Sequence, residues 1–105
     1  NSPRAGEILR DFAKRRDADA ELRGEAIFWL GQRNRGENSA FLRELFPSLE
    51  SDELRDKVIF SVAQRRAPEN ASWLLERAKD RRLSPQIRKS ALFWASQSGG
   101  ATVAD

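Results

Sequence analysis

One stretch of this chain is written three times. ELRGEAIFWLGQ at residues 21–32, ELRDKVIFSVAQ at 53–64 and QIRKSALFWASQ at 86–97 follow a single plan. Their leading apolar residues, Leu22, Leu54 and Ile87, stand 32 and then 33 residues apart. The match continues through Arg23/Arg55/Arg88, Ala26/Val58/Ala91, Ile27/Ile59/Leu92, Phe28/Phe60/Phe93 and Gln32/Gln64/Gln97. Self-similarity at a period of about 20 to 50 residues marks an architecture of stacked units, each unable to cover its own apolar face. The repeat therefore constrains the fold before any single residue is considered.

Each copy reads as the second helix of a helical pair. Ser2-Pro3 reads as an N-cap with proline at the first helical position, followed by Ile8, Leu9, Phe12 and Ala13 at helical spacing. Asp17 or Asp19 is placed to cap the first copy, and Gly36 suits a left-handed turn after it. Asn38 or Ser39 reads as the start of the next helix, with Phe41, Leu42, Leu45 and Phe46 apolar and Pro47 as its stop. Ser51 caps the central copy, Asn70 caps the following first helix with Trp73, Leu74 and Ala78 inward, and Ser84-Pro85 precedes the third copy. Asn38/Asn70, Phe41/Trp73, Leu42/Leu74 and Glu44/Glu76 each lie 32 apart, so the first helices repeat as well. The expectation is an all-α fold: a solenoid of three hairpins, six helices in all, forming a single domain over 1–105 with units at about 3–35, 36–67 and 68–99. Ser98-Gly99-Gly100 ends the last helix, and Ala101 to Asp105 occupy the place where a fourth unit would begin. The start at Asn1 and the end in ATVAD read as an excised piece of a longer protein.

Composition narrows the chemistry. Hydrophobic residues make up 39% of the chain, below the globular average of about 45–50%, and charged residues 33%, above the average of about 25%, as suits a thin stack with much surface per residue. The absence of Cys and His removes disulfides, thiol nucleophiles, the usual zinc ligands and imidazole acid/base chemistry. No apolar run approaches the roughly 18 residues of a membrane span, and no targeting pattern opens the sequence, so the chain reads as soluble. The carboxylates lie at caps and on polar faces, and no Ser or Lys stands beside a base at a motif spacing; no catalytic, cofactor-binding or metal-binding residue is expected.

A helical pair of 32 to 33 residues whose second helix reads apolar-Arg-x-x-small-apolar resembles the HEAT-like repeats, in particular the short bacterial variety first named for phycobilisome lyases. The usual Gly after the second helix's Leu is kept as Gly31 but replaced by Ala63 and Ser96, and the usual small residue before it is Trp29 or Trp94 in the outer units. The resemblance implies a right-handed superhelix whose second helices line a concave face that holds proteins or, in some members, nucleic acid. Lyase activity is not implied, since nothing in the chain supplies a tetrapyrrole site.

On a wheel of about 100° per residue, Leu54, Val58 and Val62 share the core side of the central copy, whereas Phe60 falls nearly opposite, between Asp56 and Gln64. Repeated as Phe28, Phe60 and Phe93, it forms a ladder along the stack. Two readings stay open: an exposed aromatic row that anchors a partner, or packing between neighbouring units. Glu25, Asp56, Lys57 and Lys89 vary in charge at equivalent positions beside the ladder and, with Gln64, form the expected rim of the site. Arg23, Arg55 and Arg88 border the core instead, with Asp19 and Asp52 placed to pair with them. Basic groups at residues 14–16, 33–35, 65–66 and 79–82 sit at helix ends, where they complement the helix dipole, and the middle unit has no counterpart of the first and last groups.

The function expected is that of a non-catalytic scaffold binding a protein or peptide on the face formed by the second helices. The alternatives are a nucleic-acid-binding module that uses the Arg clusters and a purely structural spacer. Three units without a recognisable capping unit add self-association through an exposed terminal face as a further expectation, since capping units normally have a polar outer side.

Overall fold

The computed structural model describes residues 3–98. Six α-helices follow one another: α1 Pro3–Lys14, α2 Ala20–Gln32, α3 Gly36–Leu45, α4 Asp52–Ala63, α5 Pro68–Lys79 and α6 Pro85–Ser98. A 3₁₀ turn, Phe46–Ser48, follows α3, and no strand occurs among the described residues. The start of α1 at Ser2, the ending at Gly99-Gly100 and the fourth-unit position at 101–105 lie outside the described residues.

Local chemistry explains most of the boundaries. Asp19 caps α2 by accepting from the Glu21 backbone N–H at 2.7 Å, Ser51 accepts from Leu54 N–H at 3.3 Å, and Ser84 accepts from Ile87 N–H at 3.2 Å. Pro47 cannot continue the α3 ladder, and the chain tightens there into the 3₁₀ turn. Two expected starts are corrected. The helices α3 and α5 begin earlier, at Gly36 and Pro68, so Asn38, Ser39 and Asn70 are buried side chains inside them rather than caps. The left-handed backbone after α2 falls on Asn34, with φ 52°, and Gly36 is simply the first residue of α3.

The helices pack as α1 on α2, α3 on α4 and α5 on α6, while α4 also packs on both α2 and α6. The links between successive pairs run down the chain in the same way each time, with α3 touching α2 and α5 touching α4. Ala26, Ile27 and Leu30 of α2, Leu54, Val58, Ile59 and Val62 of α4, and Ile87, Ala91 and Ala95 of α6 are buried in one apolar cluster with Leu42, Leu45 and Leu74. Burial of such aliphatic side chains contributes about 1.5–3 kcal/mol each before entropy is counted.

Polar clasps join the first helices. Arg10 of α1 donates to Asn38 Oδ1 at 2.9 Å, and Arg43 of α3 donates to Asn70 Oδ1 of α5. Asn70 in turn donates to Ser39 Oγ and to the carbonyls of Val62 and Arg65, at 3.1, 3.2 and 3.1 Å. Those carbonyls lie in and just beyond the last turn of α4, where the regular helix bonds run out and the Val62 carbonyl has a turn bond from the Arg65 N–H at 3.2 Å. Asn70 therefore satisfies one helix end while holding the next helix against it.

Candidate functional site

The three phenylalanines lie in a row of rings that also takes in Trp29 and Trp94, and Phe60 reaches Phe93 only through Trp94. Phe28 and Phe60 stack across α2 and α4, with centroids 6.2 Å apart and planes 11° from parallel. Across α4 and α6 the ring that Phe60 meets is Trp94, edge-on at 5.4 Å. Trp94 also meets Phe93 at 5.0 Å, and Trp29 meets Phe28 at 5.1 Å, both edge-on. The row therefore runs Trp29, Phe28, Phe60, Trp94, Phe93 across α2, α4 and α6. Phe28 and Phe60 are half-buried, while Trp29 and Phe93, at its ends, are 52% and 53% exposed. Contact between neighbouring helices and an outward ring surface are two aspects of one feature. A Trp beside the ladder in each outer copy, where the central copy has Ser61, points to ring packing between units, and Trp94 packs on Phe60 in this way.

The expected rim residues divide into two groups. Glu25 and Lys89 are exposed. Asp56 is exposed but accepts a hydrogen bond from Ser90 Oγ of α6 at 2.7 Å. The stem of Lys57 lies along α2, where a Cβ on Gly24 would stand 3.4 Å from its Cε. Gln64 donates back to the Phe60 carbonyl at 3.1 Å, at the open end of α4. Three of the five thus also hold their own helices in place.

The repeated arginines stand away from this row. Arg23, 2% exposed, donates through Nε to the Ala13 carbonyl at 3.1 Å and through Nη1 to Glu50 at 2.8 Å. Arg88 repeats the first contact, Nε to the Ala78 carbonyl at 3.0 Å, across the same interval of ten residues. In the middle pair the 3₁₀ turn displaces the acceptor, and Arg55 donates to the Leu49 carbonyl at 2.8 Å and to Asp52 at 2.7 Å. The expected partner Asp52 is thus found, whereas Asp19 serves as the cap of α2 and Arg23 takes Glu50. The Arg23 guanidinium holds the Glu50 carboxyl below its ordinary value. A hydrogen bond from Ser84, and then one from Arg55, lowers that of Asp52.

Several helix-end arginines also have intramolecular partners: Arg16 donates to the Ser48 carbonyl, Arg65 to that of Asn34, and Arg82 to Asp80. Arg82 lowers the Asp80 carboxyl to about 2, first through its side chain and then through its backbone N–H. Asp80 and Arg82 line an open cleft of about 280 Å³ together with Asp52, Arg55 and Arg77, so opposite charges interleave there. A shallower cleft of about 480 Å³ lies beside Trp29, against Leu9, Gln32 and Arg33. Among the described residues no group of acidic side chains is placed to hold a metal ion, and no helix is long and apolar enough to cross a membrane.

Comparison with models of known protein families, with curated proteins and with solved structures finds no match for this chain.

Proposed function

We propose that the chain is a non-catalytic protein-interaction module built as a right-handed, HEAT-like solenoid of three helical pairs, and that it takes a protein or peptide partner across α2, α4 and α6. The observation that carries this reading is the continuous row of five rings over three helices, partly open to solvent and bordered by Glu25 and Lys89. Aromatic side chains offer large contact area at low conformational cost and dominate protein recognition when set in such a row. The packing of α4 on both α2 and α6 supports the solenoid reading, because that is how second helices line one side of a stack. Phe28, Phe60 and Phe93 serve as anchors, with Glu25, Asp56, Lys57, Lys89 and Gln64 around them. Nucleic acid is the lesser reading, since the arginines repeated at each unit face backbone carbonyls and carboxylates of the chain itself.

Selection of displayed peptides on the whole chain tests the reading. Enriched peptides are expected to lose about tenfold or more in affinity on Phe60→Ser, a variant that removes the central ring. Peptides that bind this variant as well as the unaltered chain, or no enrichment at all, would overturn it. Fluorescence anisotropy with duplex DNA and single-stranded RNA, at about 50 and about 200 mM salt, favours nucleic acid instead if tight binding collapses with salt.

A further inference from the structure

Positions that are equivalent in the three copies differ sharply in exposure, and the differences have a direction. Leu54 and Ile87 are 1% and 2% exposed, but their counterpart Leu22 is 54% exposed. Ile87, on the last of the three helical pairs, is nevertheless buried, so what Leu22 lacks is a preceding pair. Ile27 and Ile59 are both 0% exposed, but their counterpart Leu92 is 55% exposed. Ile27, on the first pair, is nevertheless buried, so what Leu92 lacks is a following pair. One end of the molecule thus presents the leading half, and the other end the trailing half, of a contact the chain already makes twice within itself.

We propose that copies of this chain associate head to tail, α6 of one copy receiving α1 and α2 of the next as α2 receives α3 and α4, and α4 receives α5 and α6. Two further observations fit the ends to each other. The pair of positions that touches as Gly24 with Lys57 at the first junction, and as Asp56 with Ser90 at the second, becomes Lys89 with Glu25 of the next copy, two exposed side chains of opposite charge. The positions that meet as Phe60 with Trp94 become Phe93 with Trp29, the two exposed ends of the aromatic row. The row then runs on from copy to copy, with Phe93 taking the half-buried place that Phe60 has within one chain. Such a contact uses different patches on its two sides, so it is not completed at a two-fold dimer and association proceeds past the dimer as concentration rises. The inference concerns the end faces and does not rest on the proposed partner.

Sedimentation of the full chain from about 10 μM to about 1 mM, the range of weak homotypic contacts, tests it. The expected average mass rises with concentration and passes beyond the dimer. Leu22→Glu and Leu92→Glu each change a side chain that is exposed in the single chain, so each variant should keep its helical circular dichroism. Each alone should be monomeric. An equimolar mixture of the two should form a dimer and stop there, since each variant retains one intact end. Lys89→Glu should weaken association about threefold, and mixing it with Glu25→Lys should recover the loss. A wild-type chain that stays at monomer mass over the whole range overturns the proposal. So does undiminished association of either single Leu variant, or a Leu22→Glu and Leu92→Glu mixture that remains monomeric.

Discussion

Between α2 and α4 the two backbones come together at Gly31 and Ser61; between α4 and α6 the equivalent positions hold Ala63 and Trp94. A Cβ on Gly31 would lie 2.6 Å from Ser61 Cβ and 2.8 Å from its Cα, nearer than van der Waals contact allows. Ser61 uses the approach to donate to the Ile27 carbonyl at 3.0 Å, and Phe28 and Phe60 lie flat on each other beside it. At the second junction no glycine is needed, and Trp94 meets Phe60 by its edge. One repeat position thus holds either a glycine against a serine or an alanine beside an indole, and the pair, not the single residue, sets the geometry.

Placing the second junction's residue at the first separates the two most strongly. Gly31→Ala is expected to cost about 3 kcal/mol, because it must displace Ser61 Cβ together with the α4 backbone that carries it, and not the far end of a flexible side chain. The converse change, Ala63→Gly, should cost about 1.5–2 kcal/mol, the ordinary penalty of glycine in a helix plus one buried methyl. Urea denaturation of the two variants checks both values. Equal losses would mean that the junctions are not different in kind.

The two junctions also differ in how the repeated arginine bridges them. Arg23 crosses the first directly, to Glu50 just ahead of α4, while Arg55 bonds Asp52 of its own helix, whose carboxyl is lowered chiefly by the Ser84 hydroxyl ahead of α6. Arg23→Ala leaves the Ala13 carbonyl without its donor and Glu50 without its cation, and is expected to cost about 3 kcal/mol. Arg55 is partly exposed and bonds a carboxylate three residues away, so Arg55→Ala should cost about 1 kcal/mol. A larger loss at Arg55 than at Arg23 would reverse the assignment.

What could be read in advance follows the same division. Leu54, Val58 and Val62 fall into the core as their helical spacing requires, but spacing is only half of the condition: Leu22 holds the place of Leu54 in its own helix and stays exposed, because no preceding pair covers it. The structural role of Arg23, Arg55 and Arg88 was likewise legible, since their wheel position borders that core. Glu50 as the partner of Arg23 was not, because it belongs to the next pair and no helical spacing connects the two. Asn38 and Asn70 show the opposite error. A polar residue just ahead of an apolar run looks like a cap, yet both are buried acceptors for Arg10 and Arg43, contacts that exist only once the first helices lie side by side. At the candidate site, the position of Phe60 on the outer side of α4 could be derived from the wheel, but its exchange of partners, from Phe28 on one side to Trp94 on the other, depends on the Gly31/Ser61 and Ala63/Trp94 pairs that set the two junctions.

Both bridges depend on ionised carboxylates, and this gives the smallest effect and the one shared by the two junctions. Glu50 and Asp52 are lowered from ordinary values of 4.5 and 3.8, chiefly by hydrogen bonds from Arg23 and Ser84 respectively. A carboxyl that is more acidic when folded binds fewer protons than in the unfolded chain, so its contribution is complete above the ordinary value and is lost as pH falls through the lowered one. Asp80, lowered to about 2, adds less than its displacement suggests, because Arg82 is only two residues away and stays near it in the unfolded chain. Stability should therefore be level near neutrality and decline below about pH 4.5, and Glu50→Gln should start lower at neutral pH but decline less steeply, with urea midpoints at a series of acid pH values as the measure. A Glu50→Gln curve parallel to that of the unaltered chain would place the acid sensitivity elsewhere and leave the first junction held by packing at Gly31 and Ser61, without help from its ion pair.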